Sequence, residues 1–242
     1  MRIAVLSDIH GNLEALEAVL ADAQDQQARQ FVCLGDIVGY GPNPVECVER
    51  IQSLNCPAVK GNHDQAAANH NFVLDHLHPD AQRSLSWTRT QLEKKHLNFL
   101  ESLPLSRRVG RFSITHASPN RPAAWTYVNS MDDAAEAMEK QNARLCFIGH
   151  THIPAAFCLQ GESISEPGLT YFQLTAGAKY LINPGSIGQP RDGDVRAAYV
   201  IYDREAQSIE FRRVSYSLLS TSEKINDRGL GQSLATRLAT AI

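Results

Sequence analysis

The chain has 242 residues, 43% hydrophobic and 20% charged, a globular balance with ample length to bury a core. Lysine and arginine number 23 against 26 aspartates and glutamates, so the net charge is −3 and no basic field advertises nucleic acid or acidic lipid. MRIAVLSDIHG at the N-terminus does not read as a signal peptide, and no apolar stretch approaches the roughly 18 residues of a membrane span.

Residues 2–7 (RIAVLS) predict a buried strand that stops at Asp8. Asn12 is placed to cap a helix carrying Leu13, Leu16, Val19, Leu20 and Ala23 at helical spacing. FVCL (31–34) predicts a second strand, ending at Gly35-Asp36. Asn43-Pro44 opens another helix, with Pro44 at its first position and Glu46 in capping-box register. Residues 57–60 predict a short third strand, broken by Gly61-Asn62-His63-Asp64. This alternation predicts parallel strands with right-handed crossovers, whose carboxyl ends form sites.

Residues 65–79 have no clean period and read as a loop or short helical lid, with His70, His76 and His78 solvated. Residues 80–102 predict one helix, ended by Pro104, with His96 on its exposed side. Residues 111–115 predict a strand ending at His116. Ser130 caps a helix over 130–142, and LCFI (145–148) is a strand ending at Gly149-His150. Further strands are predicted at 179–183, 197–203 and 208–216. The whole reads as a single domain over 1–242, with 217–242 a helix or a peripheral C-terminal tail. Cys33, Cys47, Cys56, Cys146 and Cys158 contain no C-x-x-C and read as reduced thiols of a cytoplasmic protein.

Five short motifs stand where apolar strands stop: Asp8-x-His10, Gly35-Asp36, Gly61-Asn62-His63-Asp64, Thr115-His116 and Gly149-His150-Thr151-His152. Strand alternation lets Asp8 and His10 point together, and likewise His150 and His152. Carboxylate, imidazole and amide oxygen suit manganese, iron, zinc, nickel or cobalt rather than calcium. The absence of cysteine argues against a closed structural zinc site. Asp8, His10, Asp36, Asn62, His116, His150 and His152 exceed what one such ion takes from protein. Two divalent ions sharing a carboxylate use them well, an arrangement suited to displacement at phosphorus.

In these motifs and their order the sequence resembles the calcineurin-like metallophosphoesterases, over residues 8–152. Asn183-Pro184-Gly185-Ser186 also resembles a motif of the small bacterial members, among them phosphodiesterases and diadenosine tetraphosphatases. The resemblance implies an α/β fold, two mixed β-sheets packed as a sandwich flanked by helices. It implies that Asp8, His10 and His152 bind one metal, that Asp36 bridges, and that Asn62, His116 and His150 complete the second. His63 would face the substrate and assist the leaving oxygen while a metal-activated water attacks. Asp64 would orient His63 through a hydrogen bond.

The implied activity is hydrolysis of a phosphodiester or pyrophosphate bond in a small phosphorylated substrate, dinucleoside polyphosphates included. A phosphomonoesterase or Ser/Thr protein phosphatase is the alternative, weakened because Ile37 stands where those relatives carry arginine. A non-catalytic scaffold would show broken motifs, and these are intact. Tyr40 is placed either to stack on a base or to pack in its loop. Arg191 is placed either to contact a phosphate oxygen or to lie free on the surface. Trp87 and Trp125 read as packing residues rather than a nucleotide platform.

Overall fold

Apolar residues alternate between two buried faces in strand after strand. In β1 (Arg2–Leu6), Ile3 and Val5 face one core while Ala4 and Leu6 face another. The computed structural model describes residues 1–75 and 77–242. After β1 come α1 (Leu13–Asp25), β2 (Ala28–Cys33), α2 (Pro44–Ser53) and α3 (Asn62–Ala68). Then follow α4 (Pro79–Gln91), α5 (Lys94–Ser102), β3 (Ser106–Val109), β4 (Phe112–Thr115), α6 (Met131–Glu139) and β5 (Leu145–Phe147). Strands β6 (Ala155–Gln160), β7 (Ser163–Ser165), β8 (Tyr171–Gln173) and β9 (Lys179–Asn183) lead to β10 (Ala197–Asp203) and β11 (Ser208–Val214). Helices α7 (Leu218–Asp227) and α8 (Gln232–Thr240) come last.

Among the described residues the strands form two mixed sheets, ordered β2-β1-β10-β11-β8 and β3-β4-β5-β9-β6-β7. β1 and β2 run parallel, as do β4, β5 and β9. The sheets pack face to face. Val5, Val200 and Tyr202 of the first meet Ile114, Phe147 and Ile182 of the second. Leu16 and Val19 of α1 cover the outer face of the first sheet. Ala134, Ala137 and Met138 of α6 cover Cys146 and Leu181 on the outer face of the second. Burial on both faces is why these strands read as unbroken apolar runs. The result is the helix-flanked two-sheet sandwich that the resemblance implied.

Several local expectations change. Residues 57–60 make one isolated bridge, Cys33 to Ala58, because the Lys60 N–H turns to the Pro104 carbonyl at 2.9 Å. The Gly61-Asn62-His63-Asp64 break opens α3, because the Asp64 carboxylate accepts the Gly61 N–H at 3.0 Å. The helix expected over 80–102 divides at Leu92, whose extended ψ of 126° lets its side chain reach the core. His96 is buried rather than exposed: it accepts from the Glu93 N–H at 3.1 Å and lies 3.2 Å from Glu49 of α2. His70 and His78 are exposed, as expected, and His76 lies outside the described residues.

Residues 217–242 are helical. Ile225, Leu230, Leu234 and Leu238 pack against Tyr40 and Ala81. Lys224 pairs with Glu14 of α1, and the Gly193 N–H donates to the Ala241 carbonyl at 3.1 Å. All five cysteines are free thiols. No helix among the described residues is long and apolar enough to cross a membrane.

Asp22 ties α1 to the first sheet. Arg212 of β11 donates to it twice, at 2.8 and 2.9 Å, and the Tyr199 hydroxyl once, at 2.5 Å. Partial burial pushes the Asp22 carboxyl up, but these donors outweigh it and hold it below its usual range. A carboxyl depressed on folding adds stability above its unfolded pKa of about 3.9, and that gain is lost as pH falls through the folded value. Asp22→Asn should therefore cost about 1–3 kcal/mol at neutral pH and progressively less below about pH 4. Urea midpoints of both proteins from pH 7 to pH 3 check this. A pH-independent difference would contradict it.

Candidate metal centre

The motif residues meet at one end of the two sheets, and the backbone that brings them there is strained. Asp8, His10, Asp36, Tyr40, His150 and His152 all have left-handed φ, between 49° and 71°. Such residues cost of order 1–3 kcal/mol each and persist only where surrounding structure holds them. The expected strand alternation is thus not what converges these side chains. β1 stops at Leu6 and β5 at Phe147, and the ligand-type residues sit in the turns beyond.

Each carboxylate anchors one oxygen and turns the other inward. Asp8 Oδ2 accepts from the Ser7 hydroxyl at 2.5 Å and the His150 N–H at 3.1 Å. Its Oδ1 lies 3.4 Å from His152 Nε2 and 3.9 Å from His10 Nε2. Asp36 Oδ1 accepts the His63 N–H at 2.8 Å, leaving Oδ2 at 3.5 Å from His10 Nε2 and 3.4 Å from His116 Nε2. Asp36 therefore stands between two donor groups. Asp8, His10, Asp36 and His152 form one, and Asp36, His116 and His150 the other. Asn62 joins the second, its Oδ1 lying 3.2 Å from His116 Nε2.

The imidazoles are set in their tautomers from behind. His10 Nδ1 donates to the Val38 carbonyl at 3.1 Å, His116 Nδ1 to Leu34 at 2.9 Å, and His152 Nδ1 to Gln189 at 2.6 Å. A carbonyl only accepts, so each ring keeps a proton on Nδ1, and the neutral rings of His10 and His152 present an Nε2 lone pair inward. His10 Nε2 and His152 Nε2 face each other at 3.0 Å. Two lone pairs at that distance repel unless a cation is shared between them. The donor set thus fits divalent transition-metal ions.

Burial pushes His10, His63 and His152 down, and His150 to about 3, so these rings are neutral. Burial also lowers His116, but Asp36 outweighs it and pulls the ring up to about 9. Burial raises Asp36, yet the charged His116 beside it outweighs that and holds it well below its usual range. Burial lifts Asp8 to about 6.

Asp64 does not reach His63. Its Oδ1 accepts from the Ile37 N–H at 2.9 Å and the Val38 N–H at 3.3 Å, and its Oδ2 from Gly61. It fixes the loop after Asp36 and the start of α3, so any influence on His63 passes through the backbone. His63 Nδ1 is buried without a partner among the described residues. A Cβ on Gly39, whose φ is +90°, would lie 2.4 Å from it.

Tyr40 has no free face for a base. Its ring lies 4.8 Å from His10 and 4.5 Å from His63, with the Arg191 guanidinium 5.8 Å from its centroid. Arg191 is not a free surface residue. One nitrogen donates to Gln189 Oε1 at 2.9 Å, while its buried Nε has no partner among the described residues. Its charge helps to lower His10, His63 and His152. Trp87 packs beside the C-terminal helices.

Further contributors lie outside the five strand-end motifs. Ser186 Oγ donates to the Asp8 carbonyl at 2.8 Å. Asn183 Nδ2 donates to the Gly149 carbonyl at 2.8 Å, fastening the turn that carries His150. The Asn183-Pro184-Gly185-Ser186 motif carries that signal. Tyr127, stacked on His150, carries none.

Close approach also fixes Gly61, where an added Cβ would lie 2.0 Å from Asp36 Oδ1. Gly61→Ala should displace that carboxylate, with overpacking costing about 1–3 kcal/mol. The expected result is a lowered urea midpoint together with lost metal retention on dialysis. Unchanged retention would show that Asp36 has room to move.

The family model described as the calcineurin-like phosphoesterase superfamily domain matches residues 1–207. An uncharacterized protein of Methanocaldococcus jannaschii is 41% identical, covering 98% of this chain and 96% of its own. The crystal structure of a metallophosphoesterase from Sphaerobacter thermophilus is also 41% identical, with a TM-score of 0.87 over 100% of this chain and 99% of that one. Phosphodiesterase YfcE of Escherichia coli is 26% identical, covering 86% of this chain and 91% of its own. Motif order, sandwich and buried Asp/His cluster agree with these likenesses: the chain belongs to the calcineurin-like phosphoesterase superfamily and is a metallophosphoesterase.

Proposed function

We propose that the chain hydrolyses phosphodiester or pyrophosphate bonds in small phosphorylated substrates. Asp8, His10, Asp36 and His152 would hold one divalent transition-metal ion, and Asp36, Asn62, His116 and His150 a second. The observation carrying this reading is Asp36 Oδ2, within 3.5 Å of His10 Nε2 on one side and 3.4 Å of His116 Nε2 on the other. When bound, such ions supply positive charge against phosphate oxygens and make water more acidic.

The remaining work belongs to the chain's own groups. Arg191 keeps an unpartnered Nε beside His63 and Tyr40, suited to a non-bridging phosphate oxygen. His63 Nδ1 has no acceptor among the described residues, so the neutral ring carries its proton on Nε2. As water attacks phosphorus and the opposite P–O bond breaks, the His63 Nε2–H would hydrogen-bond to the departing oxygen and stabilise its charge, while the proton released by the attacking water ends on that oxygen. Asp64 holds α3, and with it His63, through the amides of Gly61, Ile37 and Val38. Ile37 is fully buried, so the position after Asp36 offers no cation to a monoester dianion.

The test is turnover by metal-stripped protein with Mn²⁺, Fe²⁺, Zn²⁺, Ni²⁺ or Co²⁺ restored. The panel is bis(p-nitrophenyl) phosphate, p-nitrophenyl phosphate, diadenosine tetraphosphate and a phosphopeptide. Two ions per chain, with turnover of the diester or the tetraphosphate, are expected. Preference for the monoester or phosphopeptide would move the reading to a phosphatase. Two bound ions without turnover of anything would mark a scaffold.

A further inference from the structure

The loop between β4 and α6 forms the wall of the centre on the side of His116 and His150. It carries two aromatic residues. Trp125, in a left-handed turn with φ 53°, lies edge-on to the His116 ring at 5.9 Å. Tyr127 stacks on His150 with ring centroids 4.1 Å apart and planes within 17°. One face of Tyr127 is thereby covered, yet the residue remains 48% exposed. This contrasts with Tyr40 across the centre, which is enclosed. Beside Tyr127 lies a small cavity of about 40 Å³, lined by Ser118, Asn120, Arg121 and Thr126 among others. The Arg121 guanidinium and the Thr126 hydroxyl have no partner among the described residues.

A ring that only braced His150 would need none of this. An open aromatic face one stacking layer from a metal-type histidine, with unpaired donors at its edge, is a binding feature. We propose that Tyr127 is the platform of a subsite for a nucleobase carried by the phosphoester substrate, with Arg121 and Thr126 available to its edge. The inference rests on the phosphoester reading and narrows it to nucleotides. A ribose would be the spacer between a base on Tyr127 and its phosphate at the ligand-type residues. Aromatic stacking tolerates any base, because every base has a π-face. The subsite would therefore select nucleotides as a class, not one base.

The test uses the metal-loaded full chain and two products differing only in the base, adenosine 5′-monophosphate and ribose 5-phosphate. Binding of each is measured by calorimetry for the wild type, Tyr127→Ala and Tyr127→Phe, with bound metal counted in parallel. The wild type should bind the nucleotide at least tenfold more tightly. Tyr127→Ala should lose about tenfold for the nucleotide and nothing for the sugar phosphate, at unchanged metal content, and Tyr127→Phe should restore the difference. Equal losses for both ligands, or loss of metal, would assign Tyr127 to bracing His150 and overturn the subsite. Equal affinity of the wild type for both ligands would also overturn it. Failure of the wild type to bind either would bring down the phosphoester reading itself, and the subsite with it.

Discussion

Asp36→Asn should lose both ions at once and lower turnover by about a thousandfold or more, since paired-ion charge stabilisation is worth several kcal/mol. The asparagine can still accept the His63 N–H through Oδ1, so the start of α3 should stay in place. What disappears is the negative charge facing His10 at 3.5 Å and His116 at 3.4 Å. A second readout needs no metal. Burial lowers His116, and Asp36 is the main group raising it to about 9. In metal-free protein the substitution should bring the His116 titration down, visible by NMR. A variant that kept two ions per chain would refute the sharing of this carboxylate. One that lost a single ion would place Asp36 in one group only.

His63→Ala should behave oppositely, retaining both ions and losing about 10²–10⁴-fold in kcat. The loss should depend on the leaving group. A p-nitrophenolate departs with little help, whereas an alkoxide needs the hydrogen bond from His63. The defect is therefore expected to be larger for an alkyl or ribosyl ester than for the nitrophenyl ester. Equal defects on both would remove His63 from stabilising the departing oxygen. Loss of metal would make it a structural support of Asp36, whose Oδ1 its own N–H contacts.

Much of this centre was legible because its residues cluster in short motifs at strand ends. The parallel β1–β2 pair and the buried runs in β5, β9 and β10 follow from apolar patterning. Asn12 and Ser130 cap as their sequence contexts predict. What failed was set by contacts between distant segments. His96 beside two lysines looks solvated, but Glu49 from another helix lies next to its ring inside the fold. Asp64 follows His63 directly, yet three amides claim its carboxylate. Short edge strands such as β3, β7 and β8 have too few residues for a period to emerge. Tyr127 could not be found from pattern at all, since its partner His150 lies in another turn.

The contacts that close the centre also say when it can exist during folding. His10 meets His152 across 142 residues, Ser186 meets Asp8 across 178, and Thr221 meets Asn12 across 209. Closing such long loops must precede the contacts that reward it, which slows folding. Along the unfolded chain, by contrast, the seven ligand-type residues of the centre come at most in pairs, Asp8 with His10 and His150 with His152, while Asp36, Asn62 and His116 stand apart. A pair grips an ion far more weakly than a full set. Ions will therefore partition to finished molecules and stabilise them by mass action. Metal uptake during refolding is accordingly a clock for the last step of assembly, the moment at which the two ends of the chain find each other.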